Sequence, residues 1–100
     1  MITITHTPGE IIISGHAYYA KPGNDIVCAA VSVLVQNLIC STYKLAGYEM
    51  KVAEKDGYIS SIKYRDIRNM TEVERTLLNS FFIGVEMIAE SYPENVKLNN

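Results

Sequence analysis

The sequence predicts an α+β domain, a mainly antiparallel sheet with two helices packed against it in the order ββ-α-ββ-α. Three observations predict it. Isoleucines alternate with threonines in "MITITHT", and a second apolar stretch, "IIISGHA", follows directly after a Pro-Gly turn. A strongly apolar run from Ile26 to Ile39 then carries the pattern of a buried helix. Last, Asp56-Gly57 sits between two strand-like segments, and "TEVE" opens a second helical pattern.

Each element has a local reason. "MITITHT" and "IIISGHA" read as strands joined by "PGE" and able to pair antiparallel, which leaves His16 at the end of the second. Functional side chains are common at such strand ends. "YYAKPGN" reads as a loop. From about Asp25 to Leu45 the chain reads as a helix, with Asp25 as N-cap and Cys28 as third helical residue. Its apolar residues cover most of the circumference, so it is expected to be buried on more than one side, between the sheet and a second helix or subunit. Gly47 suits its end. "YEMKVAEK" and "YISSIKY" flank the Asp56-Gly57 hairpin signal. In the capping box, Thr71 is the N-cap and Glu74 reaches back. Behind it, Leu77, Leu78, Phe81, Phe82, Val85, Ile88, Ala89 and Tyr92 recur at three- and four-residue spacing until Pro93 ends the helix. Val96 to Leu98 could add a short strand.

Composition narrows the function classes. The 100 residues form one domain, 1–100, with 48% hydrophobic and 20% charged residues. A core this small makes oligomerisation a natural supplement, and Gly84 among large residues would permit close helix approach. The net charge of −2 offers no footprint for nucleic acid or an anionic membrane. The opening residues lack a cationic stretch followed by an apolar one, so no signal peptide is expected. The apolar run falls short of the ~20 residues that a membrane span needs. A soluble, cytoplasmic protein with reduced cysteines is the expectation. Cys28 and Cys40 on one helix would stand ~18 Å apart, too far for a disulfide. No cofactor is suggested, and His6, His16, Cys28 and Cys40 lack the close pairs of a zinc site.

The chemistry concentrates between Gly15 and Ser32, "GHAYYAKPGNDIVCAAVS". A thiol at a helix N-terminus faces unpaired amides and the positive end of the macrodipole, both of which favour thiolate. A histidine within reach could manage the proton, and the amides of Val27 to Ala29 could form an oxyanion hole. The residues alone leave a second reading open, in which Cys28 is a small core residue and His16 caps a turn. Cys40, on the same apolar face with no histidine near, reads as core. His6 beside Pro8-Gly9 reads as a turn residue. Tyr18 and Tyr19 suit a hydrophobic lid, a substrate platform or plain loop packing. Lys51, Lys55, Lys63, Arg65 and Arg68 read as a solvated face, and Phe81 and Phe82 as core rather than site.

At these residues the sequence resembles a known family. "GHA" followed by "GNDIVCAAVS" is similar to the signature of the ribosomal-processing cysteine proteases called Prp, and "SFFIGVEMIAESYPENV" is similar to that family's last helix and tail. The likeness spans nearly the whole chain. It implies a compact α+β homodimer with a Cys–His dyad that removes the N-terminal extension of large-subunit ribosomal protein twenty-seven, cutting after paired phenylalanines, in support of ribosome assembly. By this resemblance Cys28 matches the nucleophile and His16 the general base and acid. Asp25 and Ser32 match signature positions, assigned here to capping and support. Gly15 and Gly23 match glycines bracketing a mobile substrate loop, whose Ala17, Tyr18 and Tyr19 would cover the aromatic residues before the cut.

The first hairpin looks shorter than is usual in that family. Phage-borne relatives exist, for which a capsid or scaffold protein would be the substrate. A non-catalytic binding module on the same scaffold is the first alternative. A thiol redox protein is the weaker one, since no Cys-x-x-Cys motif is present.

Overall fold

The structure is a computed structural model and describes residues 1–99; Asn100, the last residue of the expected domain, lies outside them. The elements run β1 (Ile2–Thr7), β2 (Glu10–Ser14), α1 (Ile26–Ala46), β3 (Lys51–Lys55), β4 (Tyr58–Lys63), α2 (Glu72–Ser91) and β5 (Val96–Asn99). The expected order ββ-α-ββ-α is observed, closed by a fifth strand. One sheet holds all five strands in the order β3-β4-β2-β1-β5. Three neighbouring pairs are antiparallel, and β5 returns parallel to β1.

The turns follow from their residues. Pro8 and Gly9 (φ +83°) join β1 to β2 in two residues, the order that a type II turn favours. Asp56 (φ 53°) and Gly57 (φ 80°) both adopt the left-handed region, as a type I′ hairpin requires, and a bulge at Ala53/Glu54 bends β3 beside it.

Alternation along the strands sorts the two sheet faces. Ile2, Ile4, Ile11, Ile62 and Val96 are buried, whereas Thr3, Thr5, Ile12, Ser61 and Lys97 on the opposite face are not. The buried face meets Val27, Val31, Val35 and Leu38 of α1 and Leu78, Phe81 and Val85 of α2. A Cβ on Gly84 would lie 2.9 Å from a Leu34 methyl carbon, so this glycine brings α1 and α2 of the same chain together.

Both helices are capped. Gly47 (φ 68°) ends α1, donating to the Tyr43 carbonyl at 3.0 Å while the Tyr48 amide donates to Thr42 at 3.4 Å. At α2 the Thr71 hydroxyl accepts from the Glu74 amide. Glu74 reaches back as expected, but its carboxylate accepts from the Thr71 hydroxyl and from Arg65 rather than from the Thr71 amide.

Several expectations need correction. The core takes only one stripe of α1, so Ile26, Val33, Tyr43 and Leu45 stay exposed, and the helix is not buried on more than one side by this chain. Cys40 falls on that open side and is exposed, not core. Arg65 is no free surface cation: it pairs with buried Glu74 and stacks on the Tyr48 ring at 4.5 Å. His6 is not a turn residue but a half-buried β1 side chain on the helix-covered face. Its Nε2 lies 2.6 Å from the Tyr64 hydroxyl and its ring 4.3 Å from that of Phe82. By length and composition alone α1 could cross a membrane; here its buried stripe is part of the core.

Candidate active site

Two elements bring the predicted pair to one place. β2 ends at Ser14, and Gly15 (φ 83°) turns the chain so that His16 leaves the sheet beside the first turn of α1. Only glycine fits there, because a Cβ would run into the Met1 carbonyl oxygen. Cys28, the third residue of α1, is half-buried. His16 and Cys28 both line a cleft of about 820 Å³, with Gly15, Ser32 and Gln36 on one side and the β3–β4 hairpin from Glu54 to Ser61 on the other. Cys28, Ser32 and Gln36 recur every fourth residue, so α1 presents a polar ladder to the cleft. Among the described residues no hydrogen bond joins His16 to Cys28.

Asp25 organises the helix mouth. Its Oδ1 accepts from the Val27 and Cys28 amides, both at 3.0 Å, and its Oδ2 from the Tyr19 amide at 3.0 Å and the Ala20 amide at 3.4 Å. One carboxylate thereby ties the loop to the helix that carries the thiol. The Cys28 amide is the largest cause holding the Asp25 carboxyl below the usual range. The Ala20 and Tyr19 amides and the Cys28 side chain add to it against partial burial.

This arrangement has a cost for the expected oxyanion hole. The Val27 and Cys28 amides are taken by Asp25, and the Ala29 amide donates to the Asp25 carbonyl at 3.1 Å. All three expected donors are engaged.

The loop residues divide. Ala17 is buried, and its carbonyl accepts from Asn95 Nδ2 at 2.8 Å. The Tyr18 ring (φ 54°) stands 5.6 Å from His16, whereas the Tyr19 ring packs edge-on against Tyr92 at 5.3 Å, away from the cleft. Gly23 (φ 88°) lies in the exposed loop. Sequence reasoning missed Asn95 and Tyr58. Asn95 also accepts the Ile2 amide on its carbonyl at 2.8 Å, so it fastens both β1 and the His16 loop; its only signal is a polar residue after Pro93. A second cleft of about 860 Å³, lined by His6, Tyr64, Arg75 and Phe82, opens at the other end of β2 and contains none of the predicted catalytic residues. Phe81 is core, and half-buried Phe82 packs against that core while also lining this second cleft. Among the described residues no cluster of three or more His, Cys, Asp or Glu side chains could hold a metal ion.

An α+β domain with a thiol at a helix mouth and an imidazole across one cleft has the outline of a cysteine hydrolase. The family described as "Cysteine protease Prp" matches residues 1–97, and the chain belongs to it. The ribosomal processing cysteine protease Prp of Bacillus subtilis is 27% identical over 93 residues, covering 86% of this chain and 80% of that one. Its namesake in Mycoplasma pneumoniae is 28% identical over 102 residues, covering 100% and 95%. Among solved structures, the Staphylococcus aureus protease Prp with a covalently linked product peptide superposes with a TM-score of 0.86 at 28% identity, covering 99% and 98%. The SMU.848 protein of Streptococcus mutans gives 0.71 at 32% identity, covering 98% and 90%.

Proposed function

We propose that this cysteine protease removes the N-terminal extension of large-subunit ribosomal protein twenty-seven, cutting after paired phenylalanines with Cys28 as nucleophile and His16 as general acid and base. The observation that carries the reading is the meeting of His16 and Cys28, from a strand end and a helix mouth, on one cleft in a chain of this family. Namesake relatives are called ribosomal processing proteases, which supports the ribosomal substrate over a phage structural protein.

The Cys28 thiolate attacks the scissile carbonyl carbon, and the carbonyl electrons move onto oxygen. As the tetrahedral species collapses, the C–N bond breaks and the His16 imidazolium gives its proton to the departing amine. A thioester on Cys28 remains. His16, now neutral, takes a proton from water, whose oxygen attacks the thioester and releases the acid and Cys28. Because Asp25 occupies the helix-mouth amides, oxyanion stabilisation falls to other donors in the cleft. Ser32, one turn beyond Cys28, offers its hydroxyl. Asp25 supports by holding loop and helix together. Within the segment from Ala17 to Asn24, the exposed residues around Tyr18 and Gly23 close over the substrate, while Ala17 and Tyr19 keep the loop fastened to Asn95 and Tyr92.

We further propose a cytoplasmic homodimer. Val33 and Leu45 of α1, each 66% exposed, supply apolar surface that this chain does not cover.

The test is incubation of the purified protein with a peptide spanning the ribosomal extension, read by mass spectrometry. A cut after the paired phenylalanines, lost in Cys28→Ala and His16→Ala, is expected, with the same preparation sedimenting at twice the chain mass. Cleavage that survives Cys28→Ala would overturn the nucleophile. Binding without cleavage would leave a binding module instead.

A further inference from the structure

We infer that Tyr58 is a positioning residue for His16, an inference that rests on the catalytic reading above. Acid–base catalysis by a histidine needs the ring held in one orientation, and a hydrogen-bonded carboxylate commonly does this. Here, among the described residues, His16 makes no hydrogen bond to any acidic side chain. Aromatic rings flank it instead. The Tyr58 ring stands 5.5 Å from the imidazole at 81°, and the Tyr18 ring 5.6 Å away at 62°; both are edge-to-face geometries.

The two tyrosines are unequal as supports. Tyr18 belongs to the loop that His16 itself enters, with a left-handed backbone in a solvent-exposed stretch. Tyr58 belongs to the sheet. It is the first residue of β4, paired with Lys55 across the Asp56-Gly57 turn, and the bulge at Ala53/Glu54 lies just before that turn. Bulges re-aim side chains beside active sites. Tyr58 is 60% exposed, so its ring adds little to the core, and its position against His16 is not explained by burial. The hairpin tip lines the cleft from the sheet side, and its aromatic residue sets the azimuth of the imidazole opposite Cys28.

The test compares Tyr58→Ala and Tyr58→Phe with the unmodified protein, using cleavage kinetics and the NMR shifts of the His16 ring protons. Tyr58→Ala is expected to lower kcat by about two- to twelvefold, as loss of one aromatic pair implies, with KM nearly unchanged. The His16 resonances should lose their ring-current displacement. Tyr58→Phe should restore both, because the ring and not the hydroxyl does the positioning. Unchanged kcat in Tyr58→Ala, or a raised KM with unchanged kcat, would overturn the inference, the second by making Tyr58 a substrate wall. Unmoved His16 resonances would overturn it too, even if the unmodified protein cut no peptide. Absence of cleavage by the unmodified protein would instead count against the catalytic reading.

Discussion

At Gly15 the backbone leaves no room for a side chain. The residue holds φ +83°, and the space a Cβ would take is filled by the Met1 carbonyl oxygen, which is backbone and cannot swing away. Gly15→Ala therefore has to open the β1 start or twist the approach to His16. A loss of about 2–4 kcal/mol in urea unfolding is expected, from positive-φ strain combined with the clash. The same glycine precedes the proposed base, so the displacement would reach the site as well. An unfolding midpoint within error of the parent would show that β1 yields freely and that the glycine is not demanded by packing. Gly9, with a similar φ of +83° but open space around it, should answer to the strain alone and give the milder effect.

At the scale of elements, α1 shows what sequence carries and what it does not. Its start, its end and the place of Cys28 were legible, because Asp25 and Gly47 act on neighbouring backbone groups. The β3–β4 hairpin was legible for the same reason, since Asp56-Gly57 dictates its own turn. Which stripe of an almost wholly apolar helix meets the sheet is not legible, and Cys40 accordingly lies outside the core in spite of its apolar neighbours. That choice depends on long-range packing, as do the parallel β1–β5 pairing and the arrival of Tyr58 beside His16. The setting of His6 is hidden in the sequence because its partners, Tyr64 and Phe82, are distant along the chain. The engagement of the helix-mouth amides is half legible: an Asp25 cap predicts it, although the same amides are the natural donors to an oxyanion. The helix interior also carries a local conflict. Thr42 is fully buried, and its hydroxyl has no hydrogen-bond partner among the described residues. Thr42→Val keeps the shape and removes the unpaired group, so a stability gain of about 1 kcal/mol is expected in urea unfolding at unchanged m-value. A loss would mean that the hydroxyl is satisfied by water.

For the whole molecule, pH should act through His6, which joins three parts of the fold. Its ring lies on β1, bonds the Tyr64 hydroxyl beyond β4 and stacks on Phe82 of α2. The Tyr64 hydroxyl in turn donates to the Thr7 carbonyl at 3.2 Å, which leaves a protonated His6 nitrogen as donor to the phenol oxygen. Burial lowers the His6 pKa from 6.5 and raises that of Tyr64, so the fold favours the neutral form of both. Well above pH 6.5 His6 is neutral in folded and unfolded chains alike, and its contribution is complete. As pH falls below 6.5 the unfolded chain takes up a proton before the folded one does, and that contribution is lost down through the folded pKa. Asp25 and Asp66, both held below 3.8, act in a separate and more acidic window. The melting temperature should therefore drop as pH falls through 6.5 and below. His6→Gln, which retains a hydrogen-bonding side chain but does not titrate there, should drop less over the same range. Parallel curves for the two proteins would mean that His6 is solvated enough to protonate in place, and that the junction of β1, Tyr64 and α2 tolerates the charge.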